Sequence, residues 1–361
     1  MATALNLADV EAGGLISEDV IPRLFNISPV ERPMIDSIGS TRAGNFKKEF
    51  TDKVLNAPSS TNALHENQDL SGEDDSKHGL RYYNLCQQMG KVIKTSQRGR
   101  DVDLTYDADE FLSQLMDAGE ELRLDEEAAA VSRNAATAEV AATSGALMAG
   151  AATWAIHSTQ RGTNGADAVL DGDTNVGGGP TTAPTAGNKT VLTEPMFRDA
   201  LRLGWQNGAR FNLCMSTGDM IENIGNYMFS SSARVATMQT NVAQGNRRDA
   251  TQGAGAQSGG VVAQGAVNMF VGNFGTITLT PNRQMAAYTA ADTGDVVDVL
   301  FIDTRYPVIA RLHDYATKML GITGLYDQEV LYVDSTFIPG ATHSITTIAD
   351  INPAAPMTDG T

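Results

Sequence analysis

The chain has 361 residues, of which 42% are hydrophobic, enough to bury one large core or two to three small ones and too apolar for a disordered tail. Lys and Arg number 26 against 43 Asp and Glu, a net charge of −17, which excludes long-range attraction to phosphate backbones or anionic lipid and leaves room only for local basic patches. Two cysteines, Cys86 and Cys214, stand far apart with neither a CxxC nor a histidine at ligand spacing, so neither a disulfide framework nor a zinc site is indicated.

The N-terminus, MATALNLADVEAGGLISEDV, carries acids where a signal peptide has a cationic end, and the short apolar run VVDVLFI contains Asp298, so a soluble protein made in a cytoplasm is expected. Residues 1–44 read as an arm. Pro22, Pro29 and Pro33 break it into short pieces, although SEDVIPRLF can make a turn or two from a Ser17 cap. From 45 to 105 two strand-like stretches, NFKKEFTDKVL and GLRYYNLCQQMGKVIKTSQ, flank a polar segment, and period-two alternation puts Phe46, Lys48 and Phe50 on one face. This predicts a long β-hairpin with HENQDLSGEDDSKH, residues 65–78, at its distal end.

The strongest helix pattern follows, over 107–136. Asp107 stands three residues before Glu110, a capping arrangement, and Phe111, Leu115, Ala118 and Leu122, with Leu112 and Met116 alongside, make one apolar stripe. A helix of that length spans about 45 Å at 1.5 Å per residue. Between 142 and 190 the chain turns rich in Gly, Ala, Thr and Asn and reads as loops around short strands. A helix then begins at LTEPMFRDALRLGWQNGA, with Thr193 as cap, Pro195 in the first turn and Gly208 beyond its end. Strand FNLCMS and helix TGDMIENIGNYMF complete a compact α/β unit. Residues 230–268 are low in complexity and read as a mobile hairpin or loop, before strands return in VNMFVGNFGTITLTPN, VVDVLFID and QEVLYVDSTFI.

The tip, residues 65–78, invites a metal reading, because His65 and His78 enclose Glu66, Asp69, Glu73, Asp74 and Asp75. It fails the calcium-loop pattern, which alternates oxygen ligands and then needs Gly and a later Glu; here the sole Gly72 precedes Glu73, Asp74 and Asp75. A solvated loop is the simpler reading, and no metal or cofactor is assigned. GAGAQSG, residues 253–259, has Ser258 where a dinucleotide fingerprint needs its third Gly, and neither GxSxG nor HExxH occurs. No catalytic residues are assigned and no enzyme emerges.

One charge pattern stands out. Arg42 to Arg100 holds ten basic residues and seven acids, whereas Asp101 to Val140 holds twelve acids with only Arg123 and Arg133. A basic hairpin of one copy lying over the acidic helix of another fits this pattern, with Lys47, Lys48, Lys53, Lys91, Lys94 and Arg98 meeting Glu120, Glu121, Asp125 or Glu126; two solvated faces are the alternative.

An arm, a long hairpin, a long helix, an α/β unit and returning strands resemble the tailed-bacteriophage major capsid (major head) proteins of the Hong Kong 97 type. ISPVERPMIDSIGSTRAGNFKKEF is similar to the arm entering the extended loop of a subgroup of these proteins, and LRYYNLCQQMGKVIKTSQRGRDVD with ELRLDEEAAAVSRN to the returning strand and spine helix. GARFNLCMSTGDMIENI, VGNFGTITLTPNR, VLFIDTRYPVIARL and EVLYVDSTFI are similar to axial-domain and closing strands, so that the likeness covers most of residues 15–350.

The resemblance implies an α+β fold: N-terminal arm 1–44, extended loop 45–105, peripheral domain 106–193 with spine helix 107–136, axial α/β domain 194–310, and a return to the peripheral domain with the C-terminal tail at 311–361. It implies a shell protein without catalysis or cofactor, assembling with itself into pentamers and hexamers in the host bacterial cytoplasm. The resulting virion head would enclose double-stranded DNA without sequence-specific or membrane contacts. A portal, a decoration protein and, because no scaffolding segment precedes the arm, a separate scaffold protein are the further partners implied. No cross-linking Lys and Asn pair of the family can be matched. An encapsulin-like compartment, a phage tail or decoration protein, and a metal-dependent enzyme built on residues 65–78 are the other readings.

Overall fold

The computed structural model describes residues 27–63, 66, 77–102, 110–141, 143–156, 160–171, 177–230, 269–321 and 324–360. The Ser17 cap, His65, the acids Asp69, Glu73, Asp74 and Asp75, and the segment 231–268 lie outside them. The elements in chain order begin with α1 (Pro33–Ser37), β1 (Gly39–Arg42), β2 (Lys47–Asp52), β3 (Leu80–Leu85), β4 (Gln87–Ser96), α2 (Gln97–Arg100), α3 (Glu110–Val131) and α4 (Ala151–Trp154). Then come β5 (Val169–Leu170), β6 (Gly177–Gly178), β7 (Pro180–Thr182), α5 (Glu194–Gln206), β8 (Leu213–Ser216) and α6 (Gly218–Ser230). The chain closes with β9 (Met269–Gly272), β10 (Gly275–Pro281), β11 (Tyr288–Thr289), β12 (Asp295–Ile302), β13 (Val308–Met319), β14 (Tyr326–Ile338) and β15 (Ile345–Ile351).

Two compact units divide the chain. One comprises Met1–Val30, Gly90–Glu121 and Thr317–Leu331; the other comprises Glu31–Met89, Leu122–Ala316 and Tyr332–Thr361. The larger unit is built on a six-stranded sheet in the order β11-β12-β8-β10-β9, with β15 on β12. Seven of the eight residues of β12 are buried, the pattern of a central strand covered on both faces. It runs antiparallel to β8 and β15, while β10 runs parallel to β8. Helices α5 and α6 close one face: Phe197, Leu201, Met220 and Ile224 pack with Val299, Phe301, Ile277 and Ile348.

The signals read for α5 are in place. Thr193 Oγ1 accepts from the Met196 N–H at 3.4 Å, and Gly208, just past the helix, takes a φ of +87° open mainly to glycine. Gly204 is needed for another reason, because a Cβ there would come within 2.0 Å of the Phe211 ring. The strands expected in VNMFVGNFGTITLTPN form a hairpin, β9 and β10, turning at Asn273–Phe274 with Gly275 at φ +140°. The two Gly residues that bracket this turn, Gly272 and Gly275, are the local cue to it.

β2 and β3 form the expected antiparallel stem, in register from Lys47↔Leu85 to Asp52↔Leu80. Phe50 stacks on Tyr82 at 5.6 Å, and both rings meet Trp154 edge-on. At Cys86 the chain leaves this ladder, and its N–H donates to Phe46 O at 2.7 Å before β4 begins. β4 then joins a different sheet, in the order β1-β13-β14-β4, in which β1 and β13 pair in parallel. The long helix is described from Glu110 and ends at Val131, five residues before the expected 136, because Ser132 turns back to bond Ala129 O and Arg133 is drawn into the core.

In the smaller unit, the first half of α3 lies with the last part of β4. Thr95 Oγ1 donates to Gln114 Oε1 at 3.2 Å, Arg100 pairs with Asp327 at 2.6 Å, and Gln97 N–H reaches Leu325 O. No described helix is long and apolar enough to cross a membrane.

Candidate functional site

The residues expected to act between copies lie on the hairpin stem, on β4 with α2, and on α3. On the stem, Lys47 sits 3.7 Å over the Tyr83 ring and 3.9 Å from Glu49, while Lys48 donates to Arg42 O at 3.4 Å. Lys53 is exposed, followed by Val54 and Leu55, which are 54% and 76% exposed. The stem is fixed to the rest of the larger unit: Asp52, at its loop-ward end, accepts from the Thr342 N–H at 2.8 Å and its hydroxyl at 2.6 Å, and Tyr83 donates to Asp171. Burial first, then the bond to Asp171, pushes the Tyr83 hydroxyl up to about 12, so it stays a donor at any physiological pH. Beyond the stem, Glu66 and His78 are the described tip residues and both are exposed. Among the described residues no cluster of metal-ligating side chains occurs.

On β4, Lys91 lies 3.6 Å from Glu121 of the same chain, with 35% and 63% side-chain exposure. A pair so open contributes at most about 1 kcal/mol. Lys94 sits 3.7 Å over Tyr326, and Arg98 is exposed on α2. On α3, Glu120 and Asp125 face outward, as do Leu112 and Met116 alongside the apolar stripe, 48% and 63% exposed. Of that stripe Ala118 and Leu122 are buried, and Ala129 and Ala130 continue the buried face along α3.

Glu126 must be removed from the set of contacts to another copy. Its side chain is fully buried, accepting from Arg311 Nε at 3.0 Å, from Arg311 Nη2 at 2.9 Å and from the Tyr315 hydroxyl at 2.6 Å. Burial acts to lower the Arg311 guanidinium, but the bond and charge of Glu126 outweigh it and hold the cation in place. Its neighbour Glu127 is buried as well and binds the Met34 and Ile35 N–H groups. Both acids read as exposed charge in sequence. Their partners, more than ninety residues away, leave no local signal.

A third buried group joins α3 to the large sheet. Arg133 Nε donates to Asp298 at 2.7 Å and its Nη2 to Asp298 at 2.5 Å and to Asp350 at 2.9 Å, while the guanidinium lies 4.2 Å over Tyr288. Burial opposes the charge on Arg133, and the two carboxylates more than restore it, raising its pKa. The arrangement is structural: each of these polar groups answers another.

A family model described as SU10 major capsid protein matches residues 2–352. Among solved structures, one from Microbacterium phage Oxtober96 superposes with a TM-score of 0.55 at 10% identity, covering 97% of this chain and 100% of that one. The capsid of a native GTA particle computed with C5 symmetry gives 0.54 at 14% identity, covering 97% and 100%. A structure from Mycobacterium phage Cain gives 0.53 at 11%, covering 98% and 100%. At these identities the likeness establishes the fold, which is that of the Hong Kong 97 type. No curated protein matches the chain.

Proposed function

Because this chain belongs to the SU10 major capsid protein family and is a structural component of the phage virion, we propose that its copies close into an icosahedral head of pentamers and hexamers around double-stranded DNA. The observation that carries the arrangement is the pair of exposed surfaces. Val54 and Leu55 beside Lys53 on the stem, and Leu112 and Met116 beside Glu120 on α3, are apolar patches rimmed by opposite charge. Burying each such side chain against a neighbour is worth about 1.5–3 kcal/mol, while the charges set register more than affinity. Lys47, Lys48, Lys53, Lys94 and Arg98 of one copy then meet Glu120, Asp125 and the outer edge of Glu121 of the next. The loop tip, with His65, Glu66, Asp69, Glu73, Asp74, Asp75 and His78, reaches a further neighbour or solvent.

The net charge of −17 supports a wall that encloses DNA without gripping it. A portal, a scaffold protein and a decoration protein complete this reading, and the shell performs no catalysis. The test is charge reversal, Lys48→Glu with Lys53→Glu, followed by electron microscopy and sedimentation across a salt series. Fewer closed shells and a flattened salt dependence are expected, with partial recovery on adding Glu120→Lys. Unchanged assembly at every salt concentration would sink the contact.

A further inference from the structure

We propose that Glu127 is a releasable latch for the N-terminal arm, holding residues 31–38 on their own subunit until they pivot about Gly39 as a neighbouring copy is engaged. The proposal rests on the assembly reading above for its purpose, but the latch itself is defined by geometry.

Glu127 Oε1 accepts from the Met34 N–H at 2.8 Å and from Asn282 Nδ2 at 2.7 Å, and Oε2 accepts from the Ile35 N–H at 2.9 Å. The carboxylate therefore caps the first turn of α1 from another element. α1 has no side-chain cap of its own at Arg32, and that residue is engaged with Asp36 at 3.1 Å. Met34 is fully buried beside this contact. Immediately afterward the chain is fastened differently, since Gly39 to Arg42 pair in parallel with Val308 to Arg311. Ile38 takes extended dihedrals between the two attachments, which makes Ile38–Gly39 the boundary between a segment held by the Glu127 carboxylate and the buried Met34 and a segment held by a ladder.

The neighbouring acid shows what a permanent tie looks like. Glu126 is answered by the cation of Arg311, whereas all of the hydrogen bonds described for Glu127 come from neutral donors. Burial pushes the Glu127 carboxyl up, the three donors pull it back without restoring it, and Asp36 adds to the rise. A charge retained against its own desolvation makes a contact that is specific yet costly to keep. Such a contact suits a segment that must hold one place before assembly and leave it afterward.

Hydrogen exchange on the unassembled full-length chain tests this. In Glu127→Gln one of the two N–H groups faces an amide NH2 instead of an acceptor, so Met34 and Ile35 should exchange about ten- to a hundred-fold faster, as expected on losing a charge-assisted bond. Peptides over 297–302 and 345–351 should keep wild-type protection. Asn282→Ala, which leaves both N–H bonds in place, should give a smaller acceleration at the same peptide. Unchanged exchange at 34–35 in Glu127→Gln, or an equal loss across the large sheet, would overturn the latch. In shell assembly, Glu127→Gln should change the rate several-fold; a wild-type rate despite a loosened segment would also overturn it. Failure of the wild-type chain to form shells under any condition would count against the assembly reading alone, because the exchange result does not depend on it.

Discussion

Arg133→Met tests how much of the larger unit depends on one buried cation. The substitution keeps an unbranched side chain of useful length but removes the charge that Asp298 and Asp350 share. The Arg133 side chain is 5% exposed, and those of Asp298 and Asp350 are 1% and 0% exposed. Two carboxylates would then be left in the core without a counter-charge, and removing one partner of a buried ion pair typically costs about 3–5 kcal/mol. This site should lie at the upper end, because the cation answers two acids and stacks on Tyr288. Urea unfolding of unassembled chain should show the midpoint falling with little change in slope. Adding Asp298→Asn and Asp350→Asn to the variant should recover part of the loss, since that removes the stranded charges and exposes a coupling among the three positions. A loss below about 1 kcal/mol, the range of exposed pairs, would refute the claim that this cluster secures the end of α3 to β12 and β15.

Two further expectations follow from other parts of the same unit. Burial would raise the Asp303 carboxyl, but Arg305 and the N–H groups of Arg210 and Arg305 outweigh it and hold it below the usual range. Its stabilising effect is therefore present above the unfolded-state pKa of about 3.9 and fades as pH falls through the lower folded value. Asp303→Asn should accordingly be less stable than wild type at neutral pH, with the gap closing in acid; a gap that widens in acid would contradict this. Gly204→Ala should lower the melting temperature, because about 1 kcal/mol of helix propensity is outweighed by about 1–3 kcal/mol of overpacking against Phe211. A rise in melting temperature would show that the ring can move aside.

Features whose cause is local were legible before any coordinates. The Thr193, Pro195 and Gly208 signals bracket α5, the apolar run in β12 announces a strand, and the alternation around Phe50 gives the stem. Features whose cause is a distant partner were not. Asp298 looks like an interruption in VVDVLFI, and only the return of Arg133 from 165 positions away makes it a core residue. Glu126 and Glu127 belong to an acidic run that reads as solvated, and their partners on β13 and in the arm carry no signal near them in sequence. β13 itself was visible only through its likeness to a family segment, because Arg311, His313, Asp314 and Lys318 obscure its apolar alternation. For the contact candidates, charge was readable but its use was not: Lys91 and Glu121 meet within the chain, a geometry that composition cannot distinguish from a meeting between copies.

The parallel pairing of Gly39–Arg42 with Val308–Arg311 also bears on how the protein is made. On the ribosome, β1 emerges more than 260 residues before the strand it must lie beside, β8 waits for β12, and β12 in turn for β15. Pairings of such long range are slow to form and leave strand edges uncovered in the meantime. These sheets are therefore expected to close late, so that a cell making many copies must shield unfinished chains from one another before any shell can begin to close.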